Sequence, residues 1–399
     1  MTGKGLAAAL PMLAVTSASY SLAQSMVNPA LGTLRQTLHT DQVGVSWVLT
    51  SYLLASALFT PILGRLGDRH GKRRLLLIAL GLLVLGSVVA APAHTLPEMV
   101  VGRVLQGAAG AVLPLAFGLI RDMAPGPRVG SAVGIVAAMT AVGGGLGLLV
   151  CGPIIQGLGV SWLFWLPAVA NSIVALLLWR TLPHDRSTDA GEGVNWMAAL
   201  LLSAALVCLL LPVSLGPDDG WLSPAIFALF ASAALLAAVW VLVELRSRTP
   251  LIDMAVFRLR PVWTANVASL LFGAGLYSAT GFIPSLLQLP RRAGLGFGES
   301  VTVSGILFVP STLAMLVTGL LTGFLMQVMR PKAVLLAGAV PPVIGFLLLA
   351  FVRAQLWEVV AATVIAGLGF GIALSALSAV VGAGNTTEIN SPHQERIIR

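Results

Sequence analysis

Between Gly64 and Arg74 the chain reads Gly-Arg-Leu-Gly-Asp-Arg-His-Gly-Lys-Arg-Arg, one carboxylate among five bases. Bases suit the carbonyl end of a helix and the anionic headgroups of a membrane leaflet. An acid among them must be held there for a partner, so the segment is expected to be a tight two-glycine turn, with Gly64 and Gly71 at its ends and Asp68 among Arg69, Lys72 and Arg73. Farther on, Arg103, Gln106, Gly107, Gly110 and Pro114 fall on one face at helical spacing. A guanidinium in an apolar run is costly and normally faces a cavity or a partner. The alternative is a side chain that snorkels to the membrane surface, because Arg103 lies about two turns from the end of its run. A third stretch, Gly143 to Pro153, is rich in glycine, and small residues let membrane helices approach closely.

The elements that must position these groups are membrane spans. The 399 residues are 57% hydrophobic and only 10% charged, whereas a soluble domain is about 25% charged. The mean hydropathy is +0.94. A spanning helix needs roughly 20 mostly apolar residues, and the long apolar runs here, without alternation of period two, exclude a barrel. Spans are expected near 6–31, 43–63, 75–93, 98–120, 129–156, 161–179, 194–215, 221–243, 262–286, 300–326, 333–352 and 356–382. The first run is too long for a secretory signal, whose apolar region is about 7–15 residues. Cys151 and Cys208 lie in apolar stretches and suggest neither a metal site nor a disulfide framework.

A net charge of +8 would suggest nucleic acid in a soluble protein. Here the bases sit in loops, and no nucleic-acid partner is expected. With the N-terminus inside, eighteen Lys and Arg fall on the inner side and four on the outer, and Arg103 within a span completes the 23. That bias predicts a multi-pass protein of the cell membrane with a cytoplasmic N-terminus. The segment Gly323 to Lys332 aligns with Gly64 to Arg73: Gly323 meets Gly64, Leu325 meets Leu66, Lys332 meets Arg73, and Gln327 replaces Asp68. This is a faint internal repeat of the kind found in transporters built from two related bundles.

The 64–74 segment resembles motif A of the major facilitator superfamily, G-x-L-x-D-R-x-G-R/K-R/K, and joins spans 2 and 3 as in that family. The resemblance implies that Asp68 latches one state of a transport cycle by docking on the opposite bundle, with Gly64, Arg69, Gly71, Lys72 and Arg73 shaping the loop. Arg103-Val-Leu-Gln106-Gly107 resembles motif B of proton-driven drug exporters, which implies a proton-relay role for Arg103 and Gln106. Gly143, Gly147, Gly152 and Pro153 resemble a worn motif C, the antiporter signature, with Leu148 and Cys151 replacing its proline and a later glycine. Trp47 to Ala55, and Glu244-Leu-Arg246 followed by Pro250-Leu251 and Phe257-Arg258, are similar to the fourteen-span drug exporter branch. The implied architecture is all-α: a six-helix bundle over 1–182, a linker and two inserted helices over 183–257, a four-helix bundle over 258–382 and a cytoplasmic tail over 383–399. By that resemblance two final spans are absent, as in a shortened reading frame. The alternative is a complete twelve-span protein.

The resemblance implies multidrug-type efflux by alternating access, driven by proton antiport, with the lipid bilayer, a small lipophilic substrate and protons as partners and no cofactor. The candidate cavity residues are Gln24, Ser25, Asn28, Tyr52 and Tyr277, beside Arg103 and Gln106. Two features oppose that reading. No Asp, Glu or His falls mid-span, and Ala23 stands where the branch carries an acid. Arg103 cannot itself release a proton. Coupling is therefore expected at a peripheral acid such as Glu98 or Asp41, and the alternative is an uncoupled facilitator or a non-transporting remnant. Membrane enzymes need clustered carboxylates, His or Cys near an interface, and no such cluster occurs, so no enzymatic activity is expected.

Overall fold

The computed structural model describes residues 4–123, 126–182, 195–247, 250–252, 254–291, 296–352 and 354–389. Long helices follow one another: α1 Lys4–Ser25, α2 Gln42–His70, α3 Lys72–Ala90, α4 Leu96–Met123, α5 Gly126–Gly157, α6 Trp162–Thr181, α7 Trp196–Asp219, α8 Pro224–Arg246, α9 Arg260–Gln288, α10 Val301–Val328, α11 Pro331–Phe351 and α12 Leu356–Ile389. Among the described residues, eleven helices, from α2 onward, are long and apolar enough to cross a membrane. α1 is 22 residues long. Every expected span thus contains one helix. The chain is an all-α multi-pass membrane protein.

Helix starts are secured by side chains that accept from the otherwise unpaired first-turn N–H groups. Asp41 accepts from Gly44 at 2.7 Å, Asn195 from Ala198 at 3.0 Å and Ser300 from Val303 at 3.2 Å. Breaks follow proline and glycine. The first expected span ran to residue 31, but α1 stops at Ser25 and a 3₁₀ turn covers Asn28–Ala30, followed by the short helix Leu31–Thr37. Pro29 has no N–H for the Ser25 carbonyl, so Asn28 sits in this turn and not on α1. α4 tightens to 3₁₀ over Ala108–Ala111, where Pro114 likewise leaves the Gly110 carbonyl without its helical donor.

Contacts group the chain into two compact units, each taken here by itself. One comprises Met26–Leu119 and Pro153–Phe257. In it α4 packs on α2 and α3, α6 on α3, and the pair α7–α8 joins through α2. The other comprises Met1–Ser25, Ile120–Gly152 and Arg258–Arg399. Its α12 packs on α9, α10 and α11 around Ala279, Ile283, Phe308, Val359, Ala366 and Phe370, with Phe346 edge-on to Phe370 at 6.3 Å.

The internal repeat extends to whole helices. The register that sets Gly64 against Gly323 also pairs Gln42 with Val301, the first residues of α2 and α10, and Lys72 with Pro331, the first of α3 and α11. One extra residue in the following turn pairs Leu96 with Leu356, the first of α4 and α12. The helix crossings match too. A Cβ on Gly86 would lie 2.5 Å from the Gly102 carbonyl oxygen, and one on Gly345 would lie 2.6 Å from that of Ala362, the residue paired with Gly102. Glu98 and Glu358 share a role, accepting from the backbone N–H groups of Thr95 and Gln355 at the starts of α4 and α12.

Candidate functional site

The segment expected as a two-glycine turn is mostly helix. α2 continues through Gly64 to His70, because nothing in Arg65 to His70 breaks it, and the reversal is made by Gly71 alone at φ 97°. That conformation favours glycine. Gly64 lies within this helix and does not turn the chain, and a Cβ there would meet nothing within 4 Å. The glycine that matters beside Gly71 is Gly67, whose missing side chain leaves room for Leu115 of α4. Asp68 pairs with Lys72 across the turn at 3.4 Å, with the Asp68 side chain 57% exposed. The Lys72 stem runs against Gly118, where a Cβ would lie 2.7 Å from its Cδ. Arg69 is exposed. Arg73 is buried and donates to the carbonyl oxygen of Trp179 in the last turn of α6, which suits a base at the negative end of a helix.

Arg103 does not snorkel. It is 1% exposed, held between α2, α3 and α4. Its Nε donates to the Val48 carbonyl at 2.8 Å, and one terminal nitrogen donates to Gln106 Oε1 at 2.7 Å. Gln106 Nε2 donates to Ser87 Oγ at 2.8 Å, and Ser87 Oγ donates to the Leu83 carbonyl at 2.8 Å. The guanidinium lies over the Tyr52 ring, 4.4 Å from its centroid, in cation–π contact. Hydrogen bonds from Nε and one terminal nitrogen, with the ring face, offset part of the cost of desolvating this charge. Glycines make the space: a Cβ on Gly107 would strike Ala55, and one on Gly110 would strike Ser56, both on α2.

The remaining candidates divide between the two units. In the unit that holds α1 and α9, Gln24 Nε2 donates to the Tyr277 hydroxyl at 2.7 Å, and Tyr277 stays 49% exposed. Ser25 lies against α5, where a Cβ on Gly147 would come 2.1 Å from its Oγ. Tyr52 belongs with Arg103 in the other unit, as does Asn28. In α5 a Cβ on Gly143 would meet the Ala18 carbonyl of α1, and one on Gly152 would meet Thr302 of α10. The helix runs on through Pro153. The motif C-like glycines thus act as a seam for two neighbours, α1 and α10. Sequence reasoning missed Ser87, Gly67, Gly118 and Gly145, which seats Thr312 of α10. The adjacent small residues Gly86-Ser87 in an otherwise bulky apolar helix were the available signal for the first.

Both peripheral acids proposed for coupling cap helices. Asp41 holds the first turn of α2, and Glu98 accepts from the N–H groups of His94 and Thr95, at 2.9 and 3.2 Å, in a capping box. Among the described residues, no group of three His, Cys, Asp or Glu side chains forms a metal site.

The profile of the Major Facilitator Superfamily matches residues 13–384. The chain belongs to that superfamily. Multidrug resistance protein 3 of Bacillus subtilis is 27% identical over 343 residues, which cover 84% of this chain and 65% of that protein. The multidrug resistance protein B homolog of Mycobacterium tuberculosis is 29% identical, covering 93% and 68%. The cephamycin export protein CmcT of Amycolatopsis lactamdurans is 32% identical, covering 90% and 74%. The chain therefore spans about two thirds of the length of the first two of these superfamily members. The fold matches that of the proton:xylose symporter XylE, with a TM-score of 0.66 at 14% identity, over 96% of this chain and 82% of the symporter.

Proposed function

We propose that this superfamily member exports small lipophilic molecules across the cell membrane by alternating access, driven by proton antiport. The observation that carries the reading is the agreement between its export relatives, drug and antibiotic exporters at 27–32% identity, and the buried Arg103–Gln106–Ser87 network in a helical core. By the family resemblance we read 1–182 as the six-helix bundle, 183–257 as the inserted pair, 258–382 as the second bundle and 383–399 as the tail; by contact, Met1–Ser25 and Ile120–Gly152 group with Arg258–Arg399. The excess of bases on one side favours a cytoplasmic N-terminus.

In this reading Arg103 and Gln106 set the electrostatics beside Tyr52 within one unit, and within the other Gln24 and Tyr277 form a polar pair that substrate can reach. Asp68, bound on one side to Lys72 and otherwise exposed, latches one state of the cycle. Gly143, Gly147 and Gly152 let α5 move closely against α1 and α10. A coupling role for Glu98 or Asp41 competes with capping, because a protonated carboxyl gives up acceptor capacity.

The test is ethidium flux in proteoliposomes with an imposed pH gradient. Gradient-dependent ethidium movement that collapses with uncoupler, and falls at least tenfold in Arg103→Ala, supports the reading. Flux down the ethidium gradient that ignores pH points to an uncoupled facilitator, a reading favoured by Ala23 in the place of the branch's acid. Absence of flux in a folded sample sinks both.

A further inference from the structure

Among the described residues Glu244 is the one buried carboxylate, 3% exposed. It stands in the last turn of α8, where an acid is doubly disfavoured. Burial strips its water, and the carbonyl end of a helix repels negative charge. Nothing in α8 itself therefore favours Glu at this position, and its partners lie elsewhere. Both carboxylate oxygens accept from the Leu251 N–H, at 3.1 and 2.9 Å, and the Ile252 N–H also faces them. The half-buried Arg65, in the last two turns of α2 and three residues before Asp68, is close enough for its charge to act on the carboxylate. The end of α8 is held a second time. Asn195, which caps α7, donates from Nδ2 to Ser247 Oγ at 3.0 Å, and α7 packs along both α8 and α2. The short helix Met254–Phe257 then rests on α8. All of these residues fall in one compact unit, and the chain passes to the other between Phe257 and Arg258, just before α9 begins at Arg260.

We propose that Glu244 is a positioning residue for transport: its carboxylate, beside Arg65, fastens the linker to the end of α2. The end of α2, the inserted pair and the linker through Phe257 then move as one body, and the chain bends only at 258–259, where it passes to the other unit. The consequence for flux rests on the transport reading above; the clamp rests on the contacts alone. Gln at 244 keeps one acceptor oxygen, loses the charge that answers Arg65 and turns an NH₂ donor toward backbone N–H groups. It therefore releases the linker while relieving α8 of its misplaced acid. A carboxylate that served α8 alone would not be missed there.

The experiment uses the full chain, Cys208→Ala, with nitroxide labels on His70→Cys in the last turn of α2 and Val256→Cys in the linker. The buried Cys151 stays unlabelled. Pulsed electron resonance gives the distribution of distances between the labels. Ethidium flux is measured in proteoliposomes on the unlabelled variants, per amount of monodisperse protein. The expected parent distribution is single and narrow, and it broadens at least twofold in Glu244→Gln and in Arg65→Gln. Maximal flux falls at least fivefold in each, with the half-saturating ethidium concentration within twofold of the parent. The double variant is no worse than Glu244→Gln alone, because the two residues act as a unit. A distribution that Glu244→Gln leaves unchanged overturns the clamp. A broadened distribution with unchanged flux makes Glu244 a local fastening and overturns its role in transport. A parent chain with a narrow distribution and no ethidium flux sinks the transport reading and takes that role with it, so this failure is visible apart from a failure of the clamp.

Discussion

Residues 42–123 and 301–389 repeat one arrangement of helices, with the same glycine at the same crossing, yet among the described residues only the first copy carries charge in its core. Where Tyr52 lies beneath Arg103 in α2 and α4, the paired positions in α10 and α12 are Ser311 and Thr363, joined by a hydrogen bond from Ser311 Oγ to the Thr363 carbonyl at 2.8 Å. The difference teaches that the packing scaffold and the electrostatic site are separable. Backbone approach at Gly86 and Gly345 builds the scaffold twice. The guanidinium, with Gln106 accepting from it and Ser87 accepting from Gln106, is built once.

The sharpest way to break the comparison is at the shared crossing. Gly86→Val and Gly345→Val each push a side chain into a facing carbonyl at 2.5 or 2.6 Å. Each is expected to cost about 3 kcal/mol or more, seen as loss of monodisperse protein and a large fall in thermal unfolding temperature. If one is tolerated and the other not, the repeat is a likeness of outline only. Next in size is Arg103→Met. It leaves Gln106 Oε1 without its donor, at a cost of about 1–3 kcal/mol, while ethidium flux falls at least tenfold. The reciprocal Thr363→Arg should fail to accumulate as folded protein, because the second copy has no Gln–Ser relay to receive it. Ser311→Ala should cost only about 1 kcal/mol, measured by thermal unfolding with flux unchanged.

The caps sharpen the comparison at its ends. Glu98→Gln and Glu358→Gln occupy equivalent positions and should lower the unfolding temperature by similar, modest amounts. A much larger effect of Glu98→Gln on gradient-driven flux than of Glu358→Gln would give Glu98 a role beyond its cap. Smallest in stability is Asp68→Asn. An exposed i,i+4 pair contributes about 0.3–0.5 kcal/mol, so the unfolding temperature should barely move. A marked loss of transport in that variant would separate latch from local ion pair, and Gln327→Asp in the second copy should not restore it.

Much of this molecule was legible in the sequence because membrane spans are local objects. In hydrocarbon each helix satisfies its own backbone, so length and apolarity announce it wherever it packs. The helices, their order and the duplicated register follow from hydropathy and from a handful of glycines and bases, and Arg103, Gln106 and Asp68 stand out as polar groups in costly places. What lay beyond reach were statements about pairs. Nothing local distinguishes Gly67, which seats Leu115, from Gly64, which faces open space. Nothing local distinguishes an Arg103 that snorkels from one that rests on Tyr52 and reaches the Val48 carbonyl 55 residues away. Glu98 and Asp41 read as titratable acids until their oxygens are seen on backbone N–H groups. Composition and periodicity determined that this chain crosses the membrane as helices. Only the tertiary structure decided which helices touch and which polar groups are thereby satisfied, because close approach depends on two surfaces at once and a linear pattern describes each surface alone.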